Sequence, residues 1–248
     1  MTRLDHISLD NFIIVLHQPR DVVNIGGVVR AMKNMGLRRL RLVAPAPFDP
    51  ADIIGIAHRS EDILAVLGIY ADLDAALADV TYVVGTSARP HADHPVWSSD
   101  VRALAPELPA RATAGPVALL FGPEDNGLDN AALDRCHLVL RLPTDPTYPS
   151  LNLAQAVLLL LYELRMAVLV AAPSPPTAAA PATAAQLETL FATWEQALQA
   201  VEFFKTGRRT GIMRSLRSLF HRADPTGREV ALLTAIAREV VQFLRRNA

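Results

Sequence analysis

A chain of 248 residues that is 51% hydrophobic and 20% charged can bury one substantial core, which excludes a disordered polypeptide. Its single cysteine, Cys136, excludes an internal disulfide and a thiolate-pair metal site. A formal net charge of −1 excludes a uniformly basic nucleic-acid binder, yet residues 205–248 hold ten Lys or Arg against three acids, and residues 20–41 hold six against Asp21 alone.

In chain order, residues 12–16 (FIIVL) predict a short buried strand, and HQPRDVVNIGG leads into a helix over 25–35 that Asn24 opens and Gly36 closes. A strand is expected over 39–44. Helices follow over 50–58, 61–69 and 71–79, the last capped by Asp72. Residues 80–85 form a strand ending in a Gly-Thr-Ser turn, followed by a polar loop with His91, His94 and Trp97. Strands over 117–121 and 138–142 flank a helix over 129–136. In PTDPTYPSLN, Pro146 and Pro149 stiffen the turn and Ser150 is expected to cap a long apolar helix, with Asn152 in its first turn. Apolar strands alternating with helices imply a mostly parallel sheet with helices on both faces. Polar residues interrupt the apolar run 151–170, and MTRLDHISLDNF lacks a signal-peptide core. No membrane segment and a cytoplasmic location are therefore expected.

Residues 171–185, AAPSPPTAAAPATAA, read as an extended linker between a domain over 1–170 and a small all-α extension over 186–248. Thr183 and Gln186 have capping-box spacing. Leu187, Leu190, Phe191, Trp194, Leu198 and Val201 share one helical face; Met213, Leu216 and Phe220 mark a second helix, and Asp224-Pro225 starts a third.

Three stretches carry chemistry: NIGGVVRAMKNMG, LLFGPEDNGL and YPSLNLAQAV. HADH, with His91 and His94, offers no third metal ligand, and LFGPEDNG lacks the Lys-Ser/Thr of a P-loop. A helix start after a Pro-rich turn suits an anion or a polar cofactor.

In this order and spacing the three stretches, with VVGTSAR, resemble the SPOUT-class (TrmH family) RNA ribose 2′-O-methyltransferases. The tail with MRSLRSLFHRADP resembles the subgroup that methylates tRNA cytidine or uridine. The resemblance implies an α/β-knot fold with a deep trefoil knot, a homodimer, a tRNA substrate methylated at nucleotide 32 of the anticodon loop, and S-adenosylmethionine as cofactor with no metal. It implies cofactor contacts at Thr86, Ser87, Ala88, Gly122, Leu142, Pro149, Ser150 and Leu151. Catalytic positions carried over are Arg30, Asn24, Glu124, Ser150 and Asn152. RNA contacts fall on Arg30, Lys33, Arg89, Arg208, Arg209, Arg214 and Arg217. Methylation of ribosomal RNA or another tRNA nucleotide, and a catalytically silent RNA-binding protein of the same fold, are the competing expectations.

Overall fold

Short, continuously apolar strands such as FIIVLH and VALLF cannot leave a face in water, and they lie within a sheet in which the described residues form seven parallel strands. They are β1 (Phe12–His17), β2 (Arg39–Val43), β3 (Gly68–Tyr70), β4 (Tyr82–Thr86), β5 (Trp97–Ser98), β6 (Val117–Phe121) and β7 (Leu138–Leu140), in the spatial order β3-β2-β1-β6-β4-β7-β5. The computed structural model describes residues 9–88, 97–98, 100–170, 180–204 and 208–247. Arg89, His91, His94 and most of the expected linker lie outside these residues.

The helices are α1 (Val22–Met35), α2 (Pro50–Ile56), α3 (Glu61–Leu64), α4 (Leu73–Leu77), α5 (Val101–Leu104), α6 (Leu108–Ala114), α7 (Asn130–Leu133) and α8 (Leu153–Val170). After the linker come α9 (Ala184–Ala200), α10 (Arg209–Ala223) and α11 (Gly227–Asn247). Phe12, Ile14 and Leu16 of β1 pack with Val28 and Met32 of α1 and Val157, Leu160 and Leu164 of α8. Their neighbours Ile13 and Val15 point to the other face, beside Leu73 and Leu77 of α4 and Ala132 and Leu133 of α7. Each such buried side chain contributes about 1.5–3 kcal/mol.

Two glycines set the approach of α1. A methyl at Gly27 would stand 2.8 Å from the Ala154 Cβ, and one at Gly26 would stand 2.8 Å from the Ile56 Cβ. Without side chains there, α1 lies directly against α8 and α2.

Several boundaries differ from expectation. Asp21, not Asn24, opens α1: its carboxylate accepts from Val23 N at 2.8 Å, placing Asn24 in the first turn. Ser150 does not cap α8; Asn152 does, its Oδ1 accepting from Ala154 N at 2.9 Å, because two further extended residues intervene. The expected helix over 61–69 ends at Leu64, and Gly68–Tyr70 form an edge strand too short and exposed to leave a period-two signal. The strand expected over 138–142 stops at Leu140, and α5 and α6 occupy a stretch read as loop. Asp72 caps α4 as expected.

The C-terminal helices build a core of their own from Leu187, Leu190, Phe191, Met213 and Val230. Thr183 and Gln186 form the expected capping box of α9, and Thr226 with Glu229 forms another at α11. This unit docks at the N-terminal edge of β4 and β7. Ala184 N donates to Val80 O at 2.6 Å, the His137 and His221 rings stack at 4.3 Å, Arg214 pairs with Asp134 at 2.8 Å, and Arg111 pairs with Asp224.

Candidate active site

At the opposite, C-terminal edge of the sheet, the loops after β4, β6 and β7 converge on a cavity of about 290 Å³. All eight expected cofactor positions line it: Thr86, Ser87 and Ala88 after β4, Gly122 after β6, and Leu142, Pro149, Ser150 and Leu151 after β7. Ligands in open parallel sheets bind beyond these strand ends, where main-chain groups have run out of ladder partners.

The walls are held locally. Thr86 Oγ1 donates to Leu120 O at 3.2 Å and Ser87 N to Leu140 O at 3.0 Å, which tie the first loop to both neighbouring strands. Thr144 Oγ1 donates to Pro149 O at 3.1 Å and closes the third loop. A methyl at Gly122 would overlap the Gly127 carbonyl carbon and Leu128 N at 2.3 Å, so only glycine lets the second loop fold back. Gly127 completes that turn with a φ of 67°.

Three of the five expected catalytic residues, Asn152, Asn24 and Glu124, form a hydrogen-bonded chain beside the cavity. Asn152 Nδ2 donates to Asn24 Oδ1 at 2.8 Å, and Asn24 Nδ2 donates to Glu124 Oε1 at 3.1 Å. Glu124 also accepts from Arg20 N at 3.1 Å and Asp21 N at 3.3 Å. One carboxylate thus joins the loop after β6 to the start of α1, and the asparagine pair joins α1 to the start of α8. Ser150 lines the cavity without joining this chain. Arg30 lies on α1, exposed, with no side-chain partner among the described residues.

The basic residues divide. Lys33 pairs with Asp62 at 2.7 Å, Arg209 with Glu195 at 2.6 Å, and Arg217 with Glu188 through both guanidinium nitrogens. Arg214 is committed to Asp134, both side chains being only 20% exposed. Arg208, Arg222, Arg228, Arg238 and Arg245 are exposed and have no ionic partner among the described residues. The composition of the tail could not show this division, because the paired acids lie up to 80 residues away.

Arg20 and Asp125 were not anticipated. The Arg20 guanidinium pairs with the Asp125 carboxylate at 2.5 Å across 105 residues, and no local pattern marks such a contact. Among the described residues no group of three or more His, Cys, Asp or Glu side chains converges as a metal site, and no helix is long and apolar enough to cross a membrane.

A family model described as the SpoU rRNA Methylase family matches residues 11–162, and one described as the C-terminal domain of tRNA methyltransferase TrmJ matches residues 185–248. The tRNA (cytidine/uridine-2′-O-)-methyltransferase TrmJ of Citrobacter koseri is 38% identical over 238 residues, covering 94% of this chain and 98% of its own length. Its counterpart in Escherichia coli K12 is 37% identical over 243 residues, covering 96% and 98%. The crystal structure of TrmJ from Z. mobilis superposes with a TM-score of 0.78 at 28% identity over 92% of this chain and 98% of its own. A probable methylase family protein from Haemophilus influenzae gives 0.61 at 34% identity over 97% and 100%.

Proposed function

The chain belongs to the SpoU rRNA methylase family, and within it we propose that the protein transfers a methyl group from S-adenosylmethionine to the ribose 2′-hydroxyl of nucleotide 32 in the tRNA anticodon loop. It is a tRNA cytidine/uridine 2′-O-methyltransferase of the TrmJ kind. The nucleotide, the cofactor contacts and the residue roles are the finer proposal. Its carrying observation is the Asn152–Asn24–Glu124 chain, which locks the cavity rim to the helix bearing Arg30.

The cavity suits the cofactor. Two carboxylates, Glu124 and Asp125, line it and among the described residues no Lys, Arg or His does, which favours a cationic ligand over a phosphate-bearing one. S-adenosylmethionine bound there supplies an electrophilic methyl group on a positively charged sulfur. Thr86–Ala88, Gly122, Leu142 and Pro149–Leu151 hold the nucleoside part through main-chain groups. Arg30 is a poor base, since a guanidinium stays protonated and carries five donors and no acceptor. Held bidentate on the adjacent RNA phosphate, it would instead orient a phosphate oxygen to accept the 2′-hydroxyl proton as the ribose oxygen takes the methyl group, the methyl–sulfur bond breaking and the neutral thioether leaving. Asn24 and Asn152 fix α1 and α8 at the distance this geometry needs, and Glu124 anchors the loop opposite them.

A homodimer and a knotted path for the three loops complete the proposal. Leu158, Leu159, Tyr162, Met166 and Leu169 of α8 are 37–57% exposed in one apolar stripe beside the cavity-forming loop, a surface suited to a second copy. The unpaired arginines Arg208, Arg222, Arg228, Arg238 and Arg245 are the groups proposed to meet tRNA phosphates, in the cytoplasm.

Labelled methyl transfer to unmodified tRNA, with the product mapped to a nucleotide, tests the reading. The native protein is expected to label the ribose of nucleotide 32, and Arg30→Ala to lower kcat by about 100-fold or more with an unchanged melting temperature. Cofactor binding without transfer to tRNA would sink the substrate assignment.

A further inference from the structure

Arg20 has no role in the scheme above and Asp125 enters it only as a carboxylate of the cavity wall, yet the two connect its two halves. Arg20 precedes α1 in the loop after β1, and Asp125 lines the cavity in the loop after β6. Main chain and side chain of one residue bind two neighbouring acids: Arg20 N donates to Glu124 Oε2 at 3.1 Å while Arg20 Nη1 donates to Asp125 Oδ2 at 2.5 Å. The next residue, Asp21, gives its N–H to Glu124 at 3.3 Å and its carboxylate to Val23 N at 2.8 Å. Asp21 therefore ends the clasp and begins the helix. Nine residues on, roughly 13 Å along the axis at about 1.5 Å per residue, stands Arg30.

We propose that Arg20 and Asp125 are positioning residues for methyl transfer. Their ion pair closes a clasp around Glu124 that fixes the bearing of α1, and hence of Arg30, relative to the donor cavity. The proposal rests on the reading of that cavity as the methyl-donor site. With side chains 59% and 43% exposed, the pair adds at most a marginal increment to global stability. Its effect lies in direction. Gln18 N donates to Val43 O at 2.8 Å and Ala46 N to Pro19 O at 2.9 Å, which hold the start of the 18–21 loop; its end, at Arg20 and Asp21, would pivot about the Glu124 carboxylate alone, and the second anchor removes that freedom. Displacements near 1 Å at a reacting centre cost up to about 100-fold in rate.

The test uses the full chain with Arg20→Gln, Asp125→Ala and the exchanged pair Arg20→Asp with Asp125→Arg. Two readouts are taken: kcat and KM for methyl transfer to tRNA, and hydrogen exchange at the Arg20 and Asp21 amides. Each single variant is expected to lower kcat by about tenfold and speed exchange, with KM for the donor within about twofold for Arg20→Gln and raised for Asp125→Ala, whose carboxylate lines the cavity; the exchanged pair is expected to recover most of the kcat and of the exchange protection, with donor KM raised by the arginine now at the cavity. Singles with native kcat and native exchange would overturn the clasp, as would an exchanged pair no better than the singles. A native protein that protects these amides yet methylates no tRNA would overturn the methyl-transfer reading, and the positioning role with it.

Discussion

Replacing Gly27 by alanine tests whether close packing of α1 on α8 sets the active-site geometry. The added Cβ would stand 2.8 Å from the Ala154 Cβ, so the helices must part by at least about half an ångström to restore carbon–carbon contact. Asn24 and Asn152 sit on those two helix starts, joined by a 2.8 Å bond that has little slack before it leaves hydrogen-bonding range. Overpacking of this kind costs about 1–3 kcal/mol, and each kcal/mol lowers Tm by about 2–4 °C in a chain of this size. The expected outcome is a Tm lower by several degrees, with methyl transfer down more than cofactor binding. Gly55→Ala is the control. Nothing lies within 4 Å of its added methyl, so a change of at most about 1 kcal/mol, in the stabilising direction, is expected from helix propensity. Calorimetry and single-turnover rates on both variants decide the matter; Gly27→Ala with native Tm and native rate would refute the packing argument.

Protonation at the seam of the C-terminal unit gives a pH prediction. Burial, then the neighbouring His221 and Arg111, push the His137 pKa well below 6.5. The unfolded chain therefore binds a proton near pH 6.5 that the folded seam refuses. Stability from this group is complete above that pH and is lost as pH falls from 6.5 toward the depressed value, by up to about 1.4 kcal/mol per pH unit. Melts between pH 7.5 and 5.5 should show native and His137→Gln curves converging as the pH drops, and parallel curves would refute the assignment. A second prediction concerns RNA length: an isolated anticodon stem-loop should show a higher KM than full-length tRNA and a similar kcat, and equal KM values would show that the tail adds no contact.

The alternating apolar segments made the parallel sheet legible, since FIIVL, VTYVV and VALLF each read as strands without knowledge of their partners. The order in which they pair was not legible, because β4 between β6 and β7 is a tertiary choice that no local pattern encodes. The eight cavity positions came from the motif resemblance, and the fold brings all eight to one place. What escaped sequence reading was the capping. Asp21 and Asn152 displaced Asn24 and Ser150 as helix openers, which released Asn24 to link α8 with Glu124. In this site the position of an N-cap by two or three residues decides which side chain caps a helix and which crosses between loops.

Charge behaves in the same way. Counting basic residues in the tail predicts a uniformly cationic surface, but Arg214 and Arg217 are consumed by Asp134 and Glu188, and Arg111, whose guanidinium lies over the Tyr82 ring, pairs with Asp224. Those pairs lie where α9 and α10 meet the N-terminal edge of β4 and β7, whereas the cavity proposed to hold the methyl donor opens at the C-terminal edge of the same strands. Five residues of β4 at about 3.3 Å each separate the two edges by roughly 15 Å. A mononucleotide cannot span that distance; a folded tRNA can. Paired arginines therefore locate the tail, and the unpaired ones are the groups proposed to meet RNA beyond the target nucleotide.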